Sequence, residues 1–395
     1  MIKFKYSNHT AVDTGIVEDE AVAKHASVGG EVTTFALDAD KINGLNATVP
    51  LFTLAAPRFP AASVSFIPYP QVGGPLTSWY AGGVLAPNGK IYCAPRDANN
   101  VLIIDPSTDT ATTIATPGAP AYVGSAKYNG AVMARDGKMY TVCRSSAQML
   151  IVDTATDTTS VVPVPGATNS YLFGGVLAPT GTMYFMPSAG TQIVTYNPST
   201  SSFFTVPTPV PSVPFRYTSA VLAPNGFLYA IPDYATNVLK INPVDNSFTP
   251  VGAALPNTLV KWTGGALAPN GKIYCAPAYE SRVLVIDTST DSIELVGSVG
   301  ASANKWLGAV LGADGLVYMI PYSENRVLVI DPLTHNITYI NTGYALNTSG
   351  YIGGVLAPNG DIYCIPRSAT TVMRISTGQP KIASTWPLGA YFNKL

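Results

Sequence analysis

Gly82-Gly83-Val84-Leu85-Ala86-Pro87-Asn88-Gly89-Lys90-Ile91-Tyr92-Cys93-Ala94-Pro95 is the stretch that organises the chain. It returns almost intact at Gly264–Pro277 and Gly353–Pro366, and weaker copies start at Gly130, Gly174, Ser219 and Gly308. The turn glycines are Gly89, Gly137, Gly181, Gly226, Gly271, Gly315 and Gly360, spaced 48, 44, 45, 45, 44 and 45 residues apart. Seven copies at that period match the four-stranded blades of a β-propeller. Each copy supplies four strand signals. In the first these are strand A at Gly83–Ala86, B at Ile91–Ala94, C at Val101–Asp105 and D at Ala111–Ala115. Strands B to D are rich in β-branched or aromatic residues.

The links between strands are also repeated. Ala86-Pro87-Asn88-Gly89 suits a hairpin in which Pro pre-sets φ and Gly accepts positive φ after a type I turn. The C–D link opens with Asp105, Asp153, Asn197, Asn242, Asp287 or Asp331. A short side-chain acceptor there can take backbone amides two residues on. Strand B carries a tyrosine in every copy: Tyr92, Tyr140, Tyr184, Tyr229, Tyr274, Tyr318 and Tyr363. A residue present in every blade serves assembly, with its ring filling the blade-to-blade contact. A ring must also close, or two sheet edges stay exposed. Ser63-Val64-Ser65-Phe66-Ile67 is expected to complete the seventh blade from the N-terminal side, with 381–385 alongside or beyond it.

The stretch Asn88–Tyr92 followed by Asn100–Thr110 resembles the YVTN repeat family, and more distantly kelch repeats. The resemblance spans about residues 61–385 and implies a seven-bladed β-propeller. Where the YVTN motif has Thr-Asn or Ala-Asn after Tyr-Val, this chain has Cys-Ala-Pro or a similar trio. Repeats of the Gly-Gly-Val-Leu-Ala-Pro-Asn-Gly type are similar to those in virion proteins of tailed bacteriophages. That similarity implies a fibre or decoration protein located on the virion and assembled in the host cytoplasm. The fold class is therefore all-β: a propeller over residues 61–395 with an N-terminal arm over 1–60. Within the arm, 16–25 reads as a short helix and Glu31–Leu37 as a strand. Two roles stay open for the arm: attachment to other virion proteins, or folding against the propeller's own flank.

Composition narrows the function. Of 395 residues, 22 are Lys or Arg and 23 Asp or Glu, a net charge of −1. That gives no strong electrostatic drive toward nucleic acid or anionic membrane. No run of ~18 apolar residues suggests a spanning helix. Met1–Ser7 has no apolar core behind its charges, which argues against a secretory leader. Four cysteines do not make a disulfide framework. Cys93, Cys275 and Cys364 share one repeat position, while Cys143 is displaced by two, and small core residues are the expected role. A reducing compartment of synthesis fits.

Catalytic constellations are scarce. His9 and His25 fall in the arm and His335 in a C–D turn. Asp97, Asp233, Glu280 and Glu324 lie in B–C loops, no two near in sequence. Lyases and lactonases built on such propellers use histidine or carboxylate clusters with a divalent metal. The expectation here is no enzyme, no metal and no cofactor. A metal-dependent lyase or lactonase and a cell-surface or S-layer adhesin are the alternatives.

Recognition is expected on the face where the variable D–A and B–C loops open. Just before strand A stand Tyr80, Tyr128, Tyr217, Trp262, Trp306 and Tyr351, and one position earlier Lys127, Arg216, Lys261 and Lys305. Neighbouring strand residues point to opposite faces. Two readings stay open. One is a ring of aromatic platforms with cations, suited to a host-surface glycan bearing an acidic group. The other is aromatic packing between blades with a solubilising cationic rim. Arg96, Arg144, Tyr322, Arg326 and Arg367, in less regular loop positions, complete the candidate ligand-binding set, together with Tyr234 and Tyr279.

Overall fold

The computed structural model describes residues 27–28, 31–32, 62–70, 79–117, 126–165, 172–187, 192–207, 217–256, 260–343 and 349–378. The chain divides into two compact units, Met1–Ala61 and Ala62–Leu395. In the first, Ser27–Val28 pairs antiparallel with Glu31–Val32. The expected strand from Glu31 is therefore present over its first two residues. The expected helix over 16–25 lies outside the described residues, as do 381–385.

The second unit is a seven-bladed β-propeller. Seven antiparallel four-stranded sheets, each in the order A-B-C-D, stand in a ring. Blade 1 is Tyr80–Leu85, Ile91–Pro95, Asn100–Asp105 and Thr110–Ala115. The A strands of the other blades are Tyr128–Met133, Leu172–Leu177, Tyr217–Leu222, Trp262–Leu267, Trp306–Leu311 and Tyr351–Leu356. Burial falls from the inside outward. Strand B is buried at every residue of Ile91–Pro95, whereas strand D alternates exposed and half-buried positions. A strand packed on both faces reads as a continuous apolar run, and one with a solvated face alternates.

The apolar core is a set of layers between adjacent blades. Val310, Tyr318 and Ile320 of blade 6 share one layer with Tyr351, Ile362 and Cys364 of blade 7. All four cysteines are free and buried in such layers, as expected of small core residues.

Strand A begins three residues earlier than the repeat pattern suggests. In blade 1 the register runs Tyr80↔Pro95, then Gly83↔Cys93, with an irregularity between Tyr80 and Gly83. Gly82 sits there at φ 81°, a conformation that glycine adopts without a Cβ clash. The glycine pair is thus a bulge inside the strand and not its start, which places the aromatic residue on the strand itself.

The turns follow their sequence chemistry. Gly89 (φ 80°) donates its amide to Ala86 O at 3.0 Å, closing the A–B hairpin. In the C–D link, Asp105 Oδ1 accepts the Ser107 amide at 2.9 Å, and Asp153, Asn197, Asn242, Asp287 and Asp331 do the same in their blades. Four residues into that link a left-handed residue recurs: Asp109, Asp157, Ser201, Asn246, Asp291 or His335.

That left-handed residue clamps the preceding blade. Tyr92 Oη donates to Asp157 Oδ1 at 2.5 Å, while Asn88 Nδ2 reaches both Tyr92 Oη (2.9 Å) and Thr154 O (2.7 Å). The same three-part clasp joins Tyr229 to Asp291, Tyr274 to His335 and Tyr363 to Asp109. Three blades lack the hairpin Asn: blade 3 carries Thr180, with Tyr184 Oη still donating to Asn246 Oδ1 at 2.6 Å, and blades 2 and 6 carry Asp. Tyr140 and Tyr318 then bond back to Asp136 and Asp314 of their own blade, each at 2.7 Å.

The ring closes as the sequence suggested. Ser63–Pro68 pairs antiparallel with Thr371–Ser376, from Ser63↔Ser376 to Pro68↔Thr371, supplying the outer strand of blade 7. Arg374 locks this seam. Its Nε donates to Asp361 Oδ2 at 2.7 Å, and its guanidinium reaches Asp109 of blade 1 at 2.5 Å.

Candidate functional site

On the face bearing the D–A and B–C loops, a belt of backbone hydrogen bonds runs from blade to blade. It alternates the residue before strand A with the residue after strand B. Arg96 N donates to Trp79 O, Lys127 N to Arg96 O, and Arg144 N to Lys127 O, at 2.8–2.9 Å. It resumes with Lys261 N to Asp233 O, Ala278 N to Lys261 O, Lys305 N to Ala278 O and Tyr322 N to Lys305 O. It then passes through Gly350 and Arg367 and returns to blade 1, where Trp79 N donates to Arg367 O at 2.6 Å. The after-B positions of six blades are therefore Arg96, Arg144, Asp233, Ala278, Tyr322 and Arg367. Arginine occupies this site in three blades, and Asp, Ala and Tyr occupy it in the others, while the backbone beneath repeats.

The aromatic ring belongs to the core. Tyr80, Trp262, Trp306 and Tyr351 are completely buried, and Tyr128 and Tyr217 nearly so. Their polar tips serve their own blade. Tyr80 Oη donates to Asn100 Oδ1 at 2.8 Å, and the indole N–H groups of Trp262 and Trp306 donate to Arg282 O and Arg326 O at 2.8 Å. These three rings thus tie strand A to the start of strand C, and the platform reading is corrected: all six aromatic residues are buried in the layers between blades.

The cation series is corrected too, since it is neither a ligand contact nor a solvated rim. Lys127, Lys261 and Lys305 are buried. Lys127 Nζ donates to Ala98 O at 2.7 Å and to Asp97 O and Asn99 Oδ1, all in the preceding blade. Lys305 Nζ donates to Ala278 O (3.0 Å) and Ser302 O (2.8 Å). Burial lowers the proton affinity of all three ammonium groups, to about 8 for Lys261 and Lys305. Arg216 lies outside the described residues. Arg326 is directed elsewhere: it stacks on Tyr339 at 4.4 Å and pairs with Glu324 at 3.3 Å.

Four candidates remain together: Arg96, Arg144, Arg367 and Tyr322. They sit on blades 1, 2, 7 and 6, consecutive in the ring. Arg367 lies over the Tyr322 ring at 5.4 Å and Arg144 over Phe173 at 5.7 Å. Arg96 has a proton affinity lowered to about 10, first by burial and then by the charges of Arg367 and Arg144. Its guanidinium meets Asn129 Oδ1 at 3.5 Å, on strand A of blade 2. Asn129 was not singled out in the sequence. Its signal is an amide at a strand-A position where the other copies carry Ala81, Phe173, Thr218, Thr263, Leu307 and Ile352.

The far side of the belt is chemically different. Asp233 is buried, and its Oδ1 has no hydrogen-bond partner. Burial pushes its carboxyl up to about 8, with the Lys261 charge opposing the shift. The other loop carboxylates are separated. Asp97 Oδ1 accepts the Ala126 amide at 2.5 Å, and Glu324 pairs with Arg326. Among the described residues no three His, Cys, Asp or Glu side chains converge as a metal site. No helix among them is long and apolar enough to cross a membrane.

Fold and belt together define a seven-bladed repeat propeller whose loop face carries Arg, Asp, Ala and Tyr at one equivalent belt site. The chain belongs to the family described as a repeat of unknown function (DUF6923), whose model matches residues 187–388. No curated protein matches it. Among solved structures, it is similar to an inactive variant of virginiamycin B lyase from Staphylococcus aureus with quinupristin. That likeness has a TM-score of 0.67 and 12% identity, and covers 80% of this chain and 99% of the other. Kuenenia stuttgartiensis hydrazine synthase is similar at TM-score 0.58 and 15% identity, over 78% and 98% of the two chains. The extracellular domain of a protein described as a hybrid two-component system of B. thetaiotaomicron is similar at TM-score 0.59 and 13% identity. It covers 81% of this chain and 43% of that one. Identities this low establish the shared propeller fold and nothing about activity.

Proposed function

We propose that this protein is a non-catalytic binding module of a tailed-phage particle, and that it presents the belt face to a host-surface ligand. The observation that carries the reading is the contrast within the belt. Packing positions repeat from blade to blade, while one equivalent belt site carries Arg in blades 1, 2 and 7, Asp233 in blade 4, Ala278 in blade 5 and Tyr322 in blade 6. Side chains that vary on the loop face of a rigid repeat scaffold suit recognition. The likeness of the Gly-Gly-Val-Leu-Ala-Pro-Asn-Gly repeats to those of virion proteins supports the placement on a particle. Residues 1–61 form a separate compact unit, suited to attachment to neighbouring virion proteins.

Immunogold electron microscopy of a lysate, with antibody against residues 62–395, tests the placement. Gold on phage particles is the expected result. Gold on cell envelopes with bare particles overturns it in favour of a surface adhesin.

A further inference from the structure

The belt carries a second message at blades 7, 1 and 2. Three arginines, Arg367, Arg96 and Arg144, occupy consecutive after-B positions of the belt, and the charges of Arg367 and Arg144 act on Arg96. Among the described residues, three donor atoms in this patch are buried without a hydrogen-bond partner: Arg96 Nε, Arg367 Nε and Asn129 Nδ2. Asn129 is only 3% exposed, so its amide has little access to bulk water. The two arginines carry donors only, so the informative group is Asn129, whose Oδ1 is met by Arg96 while its Nδ2 is left without a partner. Buried donors left unmet are costly, and an oxyanion is the ligand that would satisfy them.

Charge points the same way. The carboxylate beside the patch is Asp97, 3.9 Å from Arg96 Nε, and its Oδ1 already holds the Ala126 amide. Three like charges drawn together in partial burial repel, and an arriving anion relieves both that repulsion and the unmet donors. The aromatic faces of Tyr322 and Phe173 orient two of the guanidinium planes. A planar fork of N–H groups matches the paired oxygens of carboxylate, sulfate or phosphate.

We infer that the loop face at the junction of blades 7, 1 and 2 holds an oxyanion site formed by Arg96, Asn129, Arg144 and Arg367. This deepens the binding role proposed above and rests on it for its biological meaning. The oxyanion comes either from an acidic sugar or from free inorganic phosphate or sulfate.

The test titrates the full-length protein with sodium glucuronate, phosphate and sulfate, against sodium chloride at matched ionic strength, by calorimetry and thermal melting. Saturable binding of at least one oxyanion is expected. Losing one charge-assisted contact should weaken it about tenfold or more in R144Q and in R367Q, while R326Q, outside the patch, binds as wild type. Preference for glucuronate identifies a carbohydrate source, and preference for phosphate or sulfate a free ion. The site is overturned if no oxyanion acts beyond chloride, or if R144Q and R367Q bind undiminished.

Adsorption of particles carrying R367Q separates the two proposals. Lost oxyanion binding with unchanged adsorption keeps the site and removes its host-recognition role. Absent oxyanion binding with lost adsorption overturns the site and keeps the recognition role.

Discussion

At the scale of single residues, burial decides which polar groups hold the scaffold and which are left for a ligand. Lys127 and Lys305 spend their ammonium donors on backbone carbonyls of the preceding loop. Trp262 and Trp306 spend their N–H groups within the blade. Asp233 is the exception among the carboxylates, buried with one oxygen unpartnered and its carboxyl raised to about 8. An unfolded Asp releases its proton near pH 4, whereas folded Asp233 keeps it until about pH 8. Between those values the folded state binds the extra proton, so stability falls as pH rises through the window. Asp233→Asn removes that dependence. It is expected to raise the melting temperature at pH 8 by about 2 °C or more and to have little effect near pH 4. Melting curves at both pH values check this.

At the scale of elements, the unit of construction is the clasp between a strand-B tyrosine and the next blade's C–D turn. Tyr92→Phe strips the O–H from Asp157 and uncouples Asn88, at an expected cost of about 1–3 kcal/mol in urea denaturation. The tyrosine repeat, the hairpin glycine and the Asp or Asn opening each C–D link were all legible as one-dimensional signals, because each acts within a few residues. The clasp itself was not, because its halves lie some sixty residues apart and meet only when neighbouring blades dock. The start of strand A was misread for a local reason. A glycine pair looks like a boundary, and the bulge at Gly82 becomes visible only in the ladder register.

At the scale of the whole molecule, the ring depends on a strand borrowed from the other end of the array. A chain starting at Ala62 is expected to retain the propeller's cooperative melting transition. One starting at Tyr69 lacks Ser63–Pro68 and exposes the edge of Thr371–Ser376. At about 1 kcal/mol for each ladder bond lost, it should be several kcal/mol less stable, and should aggregate more readily. Chemical denaturation with light scattering measures both effects. The same closure brings Arg367 beside Arg96 and seats Arg374 against Asp109, so the candidate site and the seam share the junction of blades 7 and 1.

The amino-acid sequence by itself determined the number of blades, the four-strand order, the turn chemistry and the closing strand, because repetition multiplies every local signal by seven. It also marked Arg96, Arg144, Tyr322 and Arg367 as contact candidates on the loop face. Only the tertiary structure decided between platform and packing for Tyr80, Trp262 and Trp306. Inside or outside is a property of the neighbouring blade, not of the residue. Only the closed ring made Arg367, Arg96 and Arg144 neighbours and left Asn129 with its free donor among them. An oxyanion site assembled from both ends of a chain has no signature along it.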